Sequence, residues 1–90
     1  MFFDWDPAKA ASNLKKHLVS FEEAKTVFGD PFAVTIPDPD HSVANEERLV
    51  TLGTTISLRL VVVSHTENGD TIRIISARPA TPHERKNYQT

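Results

Sequence analysis

Residues 58–77 contain two apolar runs that are joined by a polar segment with Asn68-Gly69 at its centre. Asn-Gly favours a type I′ turn, because both residues tolerate the positive φ that this turn requires. The pattern therefore predicts a β-hairpin with Asn68 and Gly69 as its two turn residues. In this register Arg59 lies directly opposite Arg78, which is unfavourable unless an anionic group lies between the two guanidinium groups.

Residues 47–52 read as a further strand, and a tight connection at 53–56 places Arg48 opposite Val61. Together the two registers predict a basic face of the sheet, formed by Arg48, Arg59, Ser76 and Arg78. His65 lies on the same face near the hairpin tip, together with the apolar side chains of Val61, Val63, Ile72 and Ile74. The opposite face is predicted to be the core, with Leu49, Leu58, Leu60, Val62, Ile75 and Ala77.

Capping signals predict three helices. Each start combines an N-cap side chain with a proline or a glutamate at the expected position: Asp6-Pro7, Ser20 with Glu23, and Thr81-Pro82 with Glu84. The first helix covers residues 7–16, and the second ends at 29–31. The third helix is short and carries Arg85, Lys86 and Tyr88.

These elements define the expected fold, which is of the α+β class. It has two N-terminal helices, a four-stranded antiparallel sheet and a short C-terminal helix, in a single domain of residues 1–90. A strand at 32–36 completes the sheet. The aromatic start at residues 2–5 packs onto the domain or adds a brief edge strand. Residues 37–45 are expected to form an exposed loop, because prolines and aspartates favour turns.

Composition limits the class of function. The chain has 90 residues, no cysteine and a net charge of -2. One small core is expected, without disulfides, and the absence of cysteine suits a reducing cytoplasm. No apolar run is long enough to span a bilayer, so we expect a soluble cytoplasmic protein with no membrane contact. Since the net charge is slightly negative, any contact with nucleic acid must come from a local cluster of basic residues.

The predicted basic face is the main candidate for chemistry. Arginines together with a histidine or a tyrosine can cleave RNA without a metal, because guanidinium groups stabilise the charge that develops on the attacked phosphate. Two alternatives stay open: a solvated face on which Arg59 pairs with Glu46 or Glu47, and a histidine at position 65 with no role. The spacing of the four histidines does not suggest zinc, and Asp38, Asp40 and His41 are more typical of a polar turn than of a metal loop.

Many short segments, in order and at matching separations, resemble the BrnT ribonuclease toxins of bacterial type II toxin-antitoxin systems. They span nearly the whole chain: residues 5–10, 13–17, 19–24, 27–28, 30–31, 47–48, 53, 72–78, 84–85 and 88. The resemblance implies a RelE-like fold and RNA cleavage without metal or other cofactor, which inhibits translation. It also implies neutralisation by a BrnA-type antitoxin, with operator DNA bound only through the antitoxin complex.

The resemblance also implies which residues form the site. Arg48 and Arg78 are expected on the scissile phosphate, Arg85 supports the charge or the RNA backbone, and Tyr88 or His65 takes part in proton transfer. Leu18 departs from the family pattern, which has glycine at the end of the first helix. We therefore expect a different C-terminal geometry for this helix.

A second class of function fits the same predicted surface. A non-catalytic binding module, such as a co-repressor subunit, would use the basic face to dock a partner protein. A binding-only module expressed alone is harmless, whereas a ribonuclease arrests growth. A DNA-binding protein is disfavoured, because no helix clusters basic and amide side chains as a recognition helix does.

Overall fold

The structure is a computed structural model that describes residues 1–38, 40 and 47–88. Its elements are β1 (Phe2–Asp4), α1 (Pro7–His17), α2 (Phe21–Ala24), a 3-10 helix (Lys25–Gly29), β2 (Val34–Pro37), β3 (Arg48–Thr54), β4 (Leu60–Asn68), β5 (Thr71–Pro79) and α3 (Pro82–Lys86). The three predicted helix starts are confirmed by N-cap side chains that accept from the backbone: Asp6, Ser20 and Thr81. Most of the predicted loop at 37–45 lies outside the described residues.

In the described part of the chain the strands form one sheet of five, in the order β1-β5-β4-β3-β2. The α+β class is confirmed, but the predicted count of four antiparallel strands is wrong. The aromatic start adds β1 as an edge strand, which pairs with β5 in parallel. The other three pairings are antiparallel.

The β4–β5 hairpin turns one residue later than predicted. Asn68 pairs with Thr71, so Gly69 and Asp70 occupy the turn. Of these two residues only Gly69 has a positive φ, at 61°. This geometry is that of a type II′ turn, whose first central position favours glycine. The Asn-Gly pair therefore marks the hairpin correctly but does not fix its register.

A β-bulge then changes which residues of β5 point to each side of the sheet. The register shifts between Ser64 and His65 of β4, and beyond this point Val62 pairs with Arg78. An extra residue in one strand turns every later side chain of that strand to the other face. The predicted pair of Arg59 with Arg78 is therefore wrong.

The connection between β3 and β4 is longer than predicted. Thr54 pairs with Leu60, which leaves a loop at residues 55–59, and Arg48 pairs with Thr66. The predicted pairing of Arg48 with Val61 is therefore also wrong. Arg48 nevertheless lies on the same face as Arg78, because both are opposite even-numbered residues of β4.

The observed registers invert most of the predicted core. The face packed against α1, α2 and the 3-10 helix, here named the α1 face, buries residues that were expected on the basic face: Val61, Val63, His65, Ile72 and Ile74. Of the predicted core residues, Ala77 is buried there. Leu60 and Val62 are also buried, at 8% and 5% exposed, but on the opposite side of the sheet, whereas Leu58 is 86% exposed. The helices contribute Phe21, Ala24 and Val27, and the α1–α2 connection contributes Val19. The opposite face, here named the α3 face, carries Arg48, Val50, Leu52, Val62 and Arg78.

Asn13 joins α1 to the outer edge of β5. Because β1 pairs only with residues 71–73, it does not reach the backbone of Ala77. The Asn13 amide takes that place: its nitrogen donates to the Ala77 carbonyl at 2.8 Å, and its oxygen accepts from the Ala77 N–H at 3.1 Å. The same nitrogen donates to the Val19 carbonyl at 2.9 Å. One buried side chain therefore fixes α1, the α1–α2 connection and β5, immediately before Arg78.

Replacing Asn13 by aspartate should strongly destabilise the fold. Asn13→Asp keeps the shape of the side chain but leaves the carbonyls of Val19 and Ala77 without donors, at a cost of about 1 to 3 kcal/mol each. We expect the free energy of unfolding in urea at pH 7 to fall by about 3 kcal/mol or more, since a buried carboxylate adds its own penalty. Ser12→Asp adds the same charge at an exposed neighbouring position. This control should change the free energy of unfolding by less than about 0.5 kcal/mol. Equal effects of the two variants would contradict the role of the amide.

Leu18 ends α1 in the left-handed conformation, with φ 59° and ψ 31°. Its N–H donates to the Leu14 carbonyl at 2.9 Å, and its own carbonyl accepts from Arg59 Nη2 at 2.8 Å. The expectation of a different helix ending is therefore wrong: leucine adopts the geometry usual for glycine. This conformation costs a non-glycine residue roughly 1–2 kcal/mol.

Leu18→Gly should stabilise the protein. Glycine relieves the backbone strain but has more freedom in the unfolded chain, so we expect a net gain of about 0.5 to 1 kcal/mol. The side chain is 71% exposed, and little packing is lost with it. Thermal and urea unfolding measure the change. As a control, Ala11→Gly inside α1 should lower the free energy of unfolding by about 0.5–1 kcal/mol. A similar decrease for Leu18→Gly would show that the leucine side chain stabilises the protein.

Candidate active site

Arg78 and Glu84 form a bidentate ion pair on the α3 face. Arg78 Nη1 donates to Glu84 Oε1 and Nη2 donates to Oε2, both at 2.8 Å. The hydrogen bonds from Arg78 are the main cause that lowers the pKa of Glu84 to about 2, and the same contact raises the pKa of Arg78. The Arg78 side chain is 41% exposed. Its guanidinium group is therefore held in one orientation by the Glu84 carboxylate, which offsets its charge, and it stays partly exposed to solvent.

Glu84 also closes the start of α3. Its Oε1 accepts from the Thr81 N–H at 2.8 Å, while its own N–H donates to Thr81 Oγ1 at 3.2 Å. This is the capping box predicted from the sequence. A helix as short as α3 is not stable by itself, so its position depends on contacts such as these. A single carboxylate thus fixes the beginning of α3 and orients an arginine on β5.

Tyr88, just after α3, contacts Thr54 at the end of β3 and Asp30 after the 3-10 helix. Its hydroxyl donates to Asp30 Oδ2 and accepts from Thr54 Oγ1 at 3.0 Å. The Thr54 N–H donates to the same Asp30 oxygen at 2.8 Å. Burial opposes ionisation of Asp30, but hydrogen bonds from Thr54, Tyr88 and Phe32 lower its pKa. Burial, followed by the bond to Asp30, raises the pKa of Tyr88.

These contacts lay α3 across one end of the α3 face, from Glu84 against β5 to Tyr88 against β3. Arg85 lies between them on an exposed part of the helix. Within the described residues its side chain forms no hydrogen bond or ion pair. The structure therefore brings together three of the predicted site residues, Arg78, Arg85 and Tyr88, through one short helix.

Arg48 shares this face but lies far from Arg78. It pairs with Thr66, whereas Arg78 pairs with Val62, so the two arginines are separated by four positions along β4 and by two strands. With standard spacings this is roughly 13 Å along the strands and roughly 10 Å across them. Arg48 is therefore at the opposite end of the face from α3.

Arg59 is not part of this face. Its Nε donates to Glu23 Oε2 at 2.9 Å, and its Nη2 donates to the Leu18 carbonyl. The hydrogen bond from Arg59 is the main cause that lowers the pKa of Glu23. Arg59 therefore ties the β3–β4 loop to the start of α2 and to the α1–α2 connection. Within the described residues its carboxylate partner is Glu23; of the two alternatives considered from the sequence, Glu46 lies outside those residues.

His65 lies in the core rather than near an exposed hairpin tip. Its ring is 0% exposed, and its Nε2 is 2.7 Å from Thr51 Oγ1. The ring of Phe28 meets it edge-on at 4.9 Å between centroids, and Nδ1 is 3.6 Å from Glu67 Oε2. Burial lowers the pKa of His65 to about 4. His65 is therefore neutral at pH 7 and points away from Arg78.

Other possible features receive no support from the described residues. In 1–38, 40 and 47–88, no group of three or more His, Cys, Asp or Glu side chains is placed to bind a metal ion. His41, part of the metal loop considered from the sequence, lies outside these ranges. None of the described helices has the length and apolar character that crossing a membrane requires.

Comparisons with known proteins identify the family. Residues 5–84 match the family model described as the ribonuclease toxin, BrnT, of type II toxin-antitoxin systems. The chain belongs to the BrnT family. Its fold is similar to the crystal structure of the Brucella abortus ribonuclease toxin BrnT, with a TM-score of 0.68 and 22% sequence identity over 90% of this chain and 99% of that chain. Among curated proteins no match was found.

Family membership confirms the resemblance seen in the sequence, but local sequence patterns do not reveal how the residues of the candidate site are joined. Besides belonging to the segments that carry the resemblance, Glu84 was interpreted as a helix cap and Asp30 as part of a helix end. The bond that Thr54 makes to Tyr88 joins residues 34 positions apart. The capping box was the one local signal at the site, and it located Glu84 without revealing that Arg78 is its partner.

The buried His65 should make stability depend on pH. Its pKa of about 4 in the folded state is below the usual 6.5, so the unfolded chain binds the extra proton. The stabilisation is complete above about pH 6.5 and is lost as the pH falls towards 4, by roughly 2 kcal/mol between pH 7 and pH 5. Carboxylates with lowered pKa values lose their contribution mainly below about pH 4.5. Urea unfolding at several pH values measures the slope.

Two observations separate His65 from other causes of this slope. NMR titration of the folded protein should show the His65 ring neutral at pH 5.5. The variant His65→Gln, if folded, should have a flatter stability profile between pH 7 and pH 5. A His65 ring that titrates near pH 6.5 in the folded protein would contradict its burial.

Proposed function

We propose that this BrnT chain is a metal-independent endoribonuclease whose active site lies on the α3 face around Arg78. The main support is the bidentate pair of Arg78 with Glu84, which presents a fixed, half-exposed cation next to the exposed Arg85. Guanidinium groups bind phosphate oxygens in a planar, bidentate way, and they stay charged at any physiological pH. The BrnT family is described as ribonuclease toxins, which agrees with an RNA substrate.

The proposed reaction uses the RNA's own 2′-hydroxyl. Its oxygen attacks the adjacent phosphorus and gives up a proton, the bond from phosphorus to the 5′-oxygen breaks, and that oxygen takes up a proton. The products are a 2′,3′-cyclic phosphate and a 5′-hydroxyl. Negative charge accumulates on the phosphorane, where Arg78 and Arg85 would stabilise it; loss of one such donor typically costs about 3 kcal/mol.

Tyr88 is proposed as the proton donor to the 5′-oxygen. Its hydroxyl is protonated at neutral pH and already donates to Asp30 Oδ2, so it has a proton to transfer. The hydroxyl would turn from Asp30 to the leaving oxygen during the reaction. We assign a structural role to His65, since its ring is buried on the α1 face. Arg48, at the far end of the α3 face, is proposed to contact the RNA backbone away from the scissile phosphate.

The proposed cellular context follows from the family. A toxin of a type II system has an antitoxin partner, which we propose to be of the BrnA type, with operator DNA bound only through the complex of the two proteins. Cleavage of RNA would inhibit translation in the cytoplasm. The relation to RelE-like toxins is part of the same proposal.

A non-catalytic binding module is the second candidate, and one observation favours it. Beside α3 the α3 face has a groove of about 270 Å³, here named the aliphatic groove, which is lined by Val34, Ile36, Val50, Leu52 and Val62, with Glu84 and Asn87 at its rim. Such a mixed surface suits a protein partner. Expression of the chain without its antitoxin separates the two candidates, because only a toxin arrests growth.

Arg78→Ala should nearly abolish RNA cleavage. The purified chain, free of antitoxin and in excess chelator, is incubated with a defined RNA, and the new ends are identified. The wild type should produce 2′,3′-cyclic phosphate and 5′-hydroxyl ends, and the variant should be slower by about a hundredfold or more. Its melting temperature should fall by no more than about 4–8 °C, because a part-exposed ion pair contributes only about 1 kcal/mol.

The matched control for charge is Lys25→Ala. Lys25 forms an exposed pair with Glu22 at 3.1 Å, after α2 and away from the α3 face, so its loss should leave the cleavage rate within about twofold of the wild type. Equal rates for the two variants would remove Arg78 from the site. Intact RNA with the wild type would contradict cleavage of free RNA and would favour the binding module or a toxin that acts only on ribosomes.

A further inference from the structure

The aliphatic groove crosses three neighbouring strands. Val34 pairs with Leu52, which pairs with Val62, while Ile36 pairs with Val50. All five side chains therefore lie side by side on the α3 face. Those from β2, at the edge of the sheet, are the most open: Val34 is 42% exposed and Ile36 is 57% exposed. These side chains form an apolar surface next to the proposed active site.

The size of this surface fits an α-helix. Three strands span roughly 10 Å from first to last, which is close to the diameter of a helix with its side chains. The part of the same face next to the groove is already covered by α3. An apolar sheet face is normally covered by a second layer, and residues 60–63 of β4 are apolar on both faces, as strands between two layers are. A second helix beside α3 would complete this layer.

Other kinds of ligand fit the groove less well. Nucleobases bind single-stranded RNA sites mainly by stacking on aromatic rings, and the residues that line this groove include no aromatic side chain. An extended peptide could pair with the edge of β2, but that strand has four residues and ends at Pro37, which has no N–H. Prolines of this kind limit strand addition at sheet edges.

We propose that the aliphatic groove binds the apolar face of an amphipathic helix from the cognate antitoxin. The inference rests on the proposed function, in that the family supplies an antitoxin as partner. Arg85 is exposed and follows Glu84, which lines the groove, on α3. Its positive charge would attract acidic side chains of a helix bound beside α3. A helix in this position lies over the α3 face beside Arg78, so RNA and antitoxin exclude each other.

The test uses two matched substitutions of exposed isoleucines. Ile36→Lys places a charge in the groove, whereas Ile56→Lys places the same charge in the β3–β4 loop, where Ile56 is 80% exposed. Binding of the purified cognate antitoxin to each full-length variant is measured by calorimetry. We expect Ile36→Lys to weaken binding at least tenfold and Ile56→Lys to change it less than twofold. Thermal unfolding of both variants is measured alongside, and Val34→Lys serves as a second groove variant if Ile36→Lys does not fold.

RNA cleavage by the free variants provides a separate measurement. Ile36→Lys should cleave RNA at the wild-type rate and should no longer be inhibited by antitoxin. Unchanged antitoxin binding by Ile36→Lys would overturn the proposal. It would also be overturned if Ile36→Lys weakened RNA binding but not antitoxin binding. The same holds if the only effect of Ile36→Lys were to dissociate a dimer that the wild-type chain forms. If the wild type cleaves no RNA, the proposed enzyme fails, but the calorimetry still decides whether the groove binds the antitoxin.

Discussion

The hydrogen bonds of Asn13 are the constraint on which the rest of this structure depends. β1 covers only the first residues of β5, so the outer edge of β5 at Ala77 would otherwise lose its backbone partners in a buried position. An amide side chain reproduces both bonds of a peptide group, and it also holds the Val19 carbonyl. The helical layer is thereby fixed to the sheet at one residue. Since side chains alternate along a strand, fixing Ala77 towards the helices directs Arg78 towards the α3 face.

Arg78 in turn fixes the position of α3 through its ion pair with Glu84. This carboxylate is at once the N-cap partner of Thr81 and the partner of Arg78. The two functions support each other, because a helix of this length forms only where it is held, and an arginine on a strand is oriented only where an acceptor is fixed. Tyr88 completes the attachment through Asp30 and Thr54. The site is thus assembled by a chain of contacts that begins in the core, and its polar groups hold α3 in place as well as facing solvent.

Features that depend on neighbouring residues could be predicted from the sequence. Features that depend on contacts between distant residues could not. Helix starts follow from one side chain and the next turn, and all three were located. The hairpin was located as well, but its register depends on a turn type with Gly69 in first position and on the bulge between Ser64 and His65. The later turn leaves His65 on one face with Ile72 and Ile74, as predicted, whereas the bulge moves Arg78 to the other face. The helices cover the face of His65, so this face is the core. The partner of Arg59 is Glu23, 36 positions away, and no local pattern indicates that pair.

The α3 face combines two kinds of surface with different physical properties. The polar cluster around Arg78 and Arg85 attracts anions over a distance and weakens as salt increases. The aliphatic groove contributes an interaction that does not distinguish charge and is nearly insensitive to salt. In the proposed function, RNA would use mainly the first surface, whereas an antitoxin helix would use both. A partner that adds the groove to the arginines therefore gains affinity that RNA cannot match, and this difference would allow a small antitoxin segment to displace a polyanionic substrate from the same face.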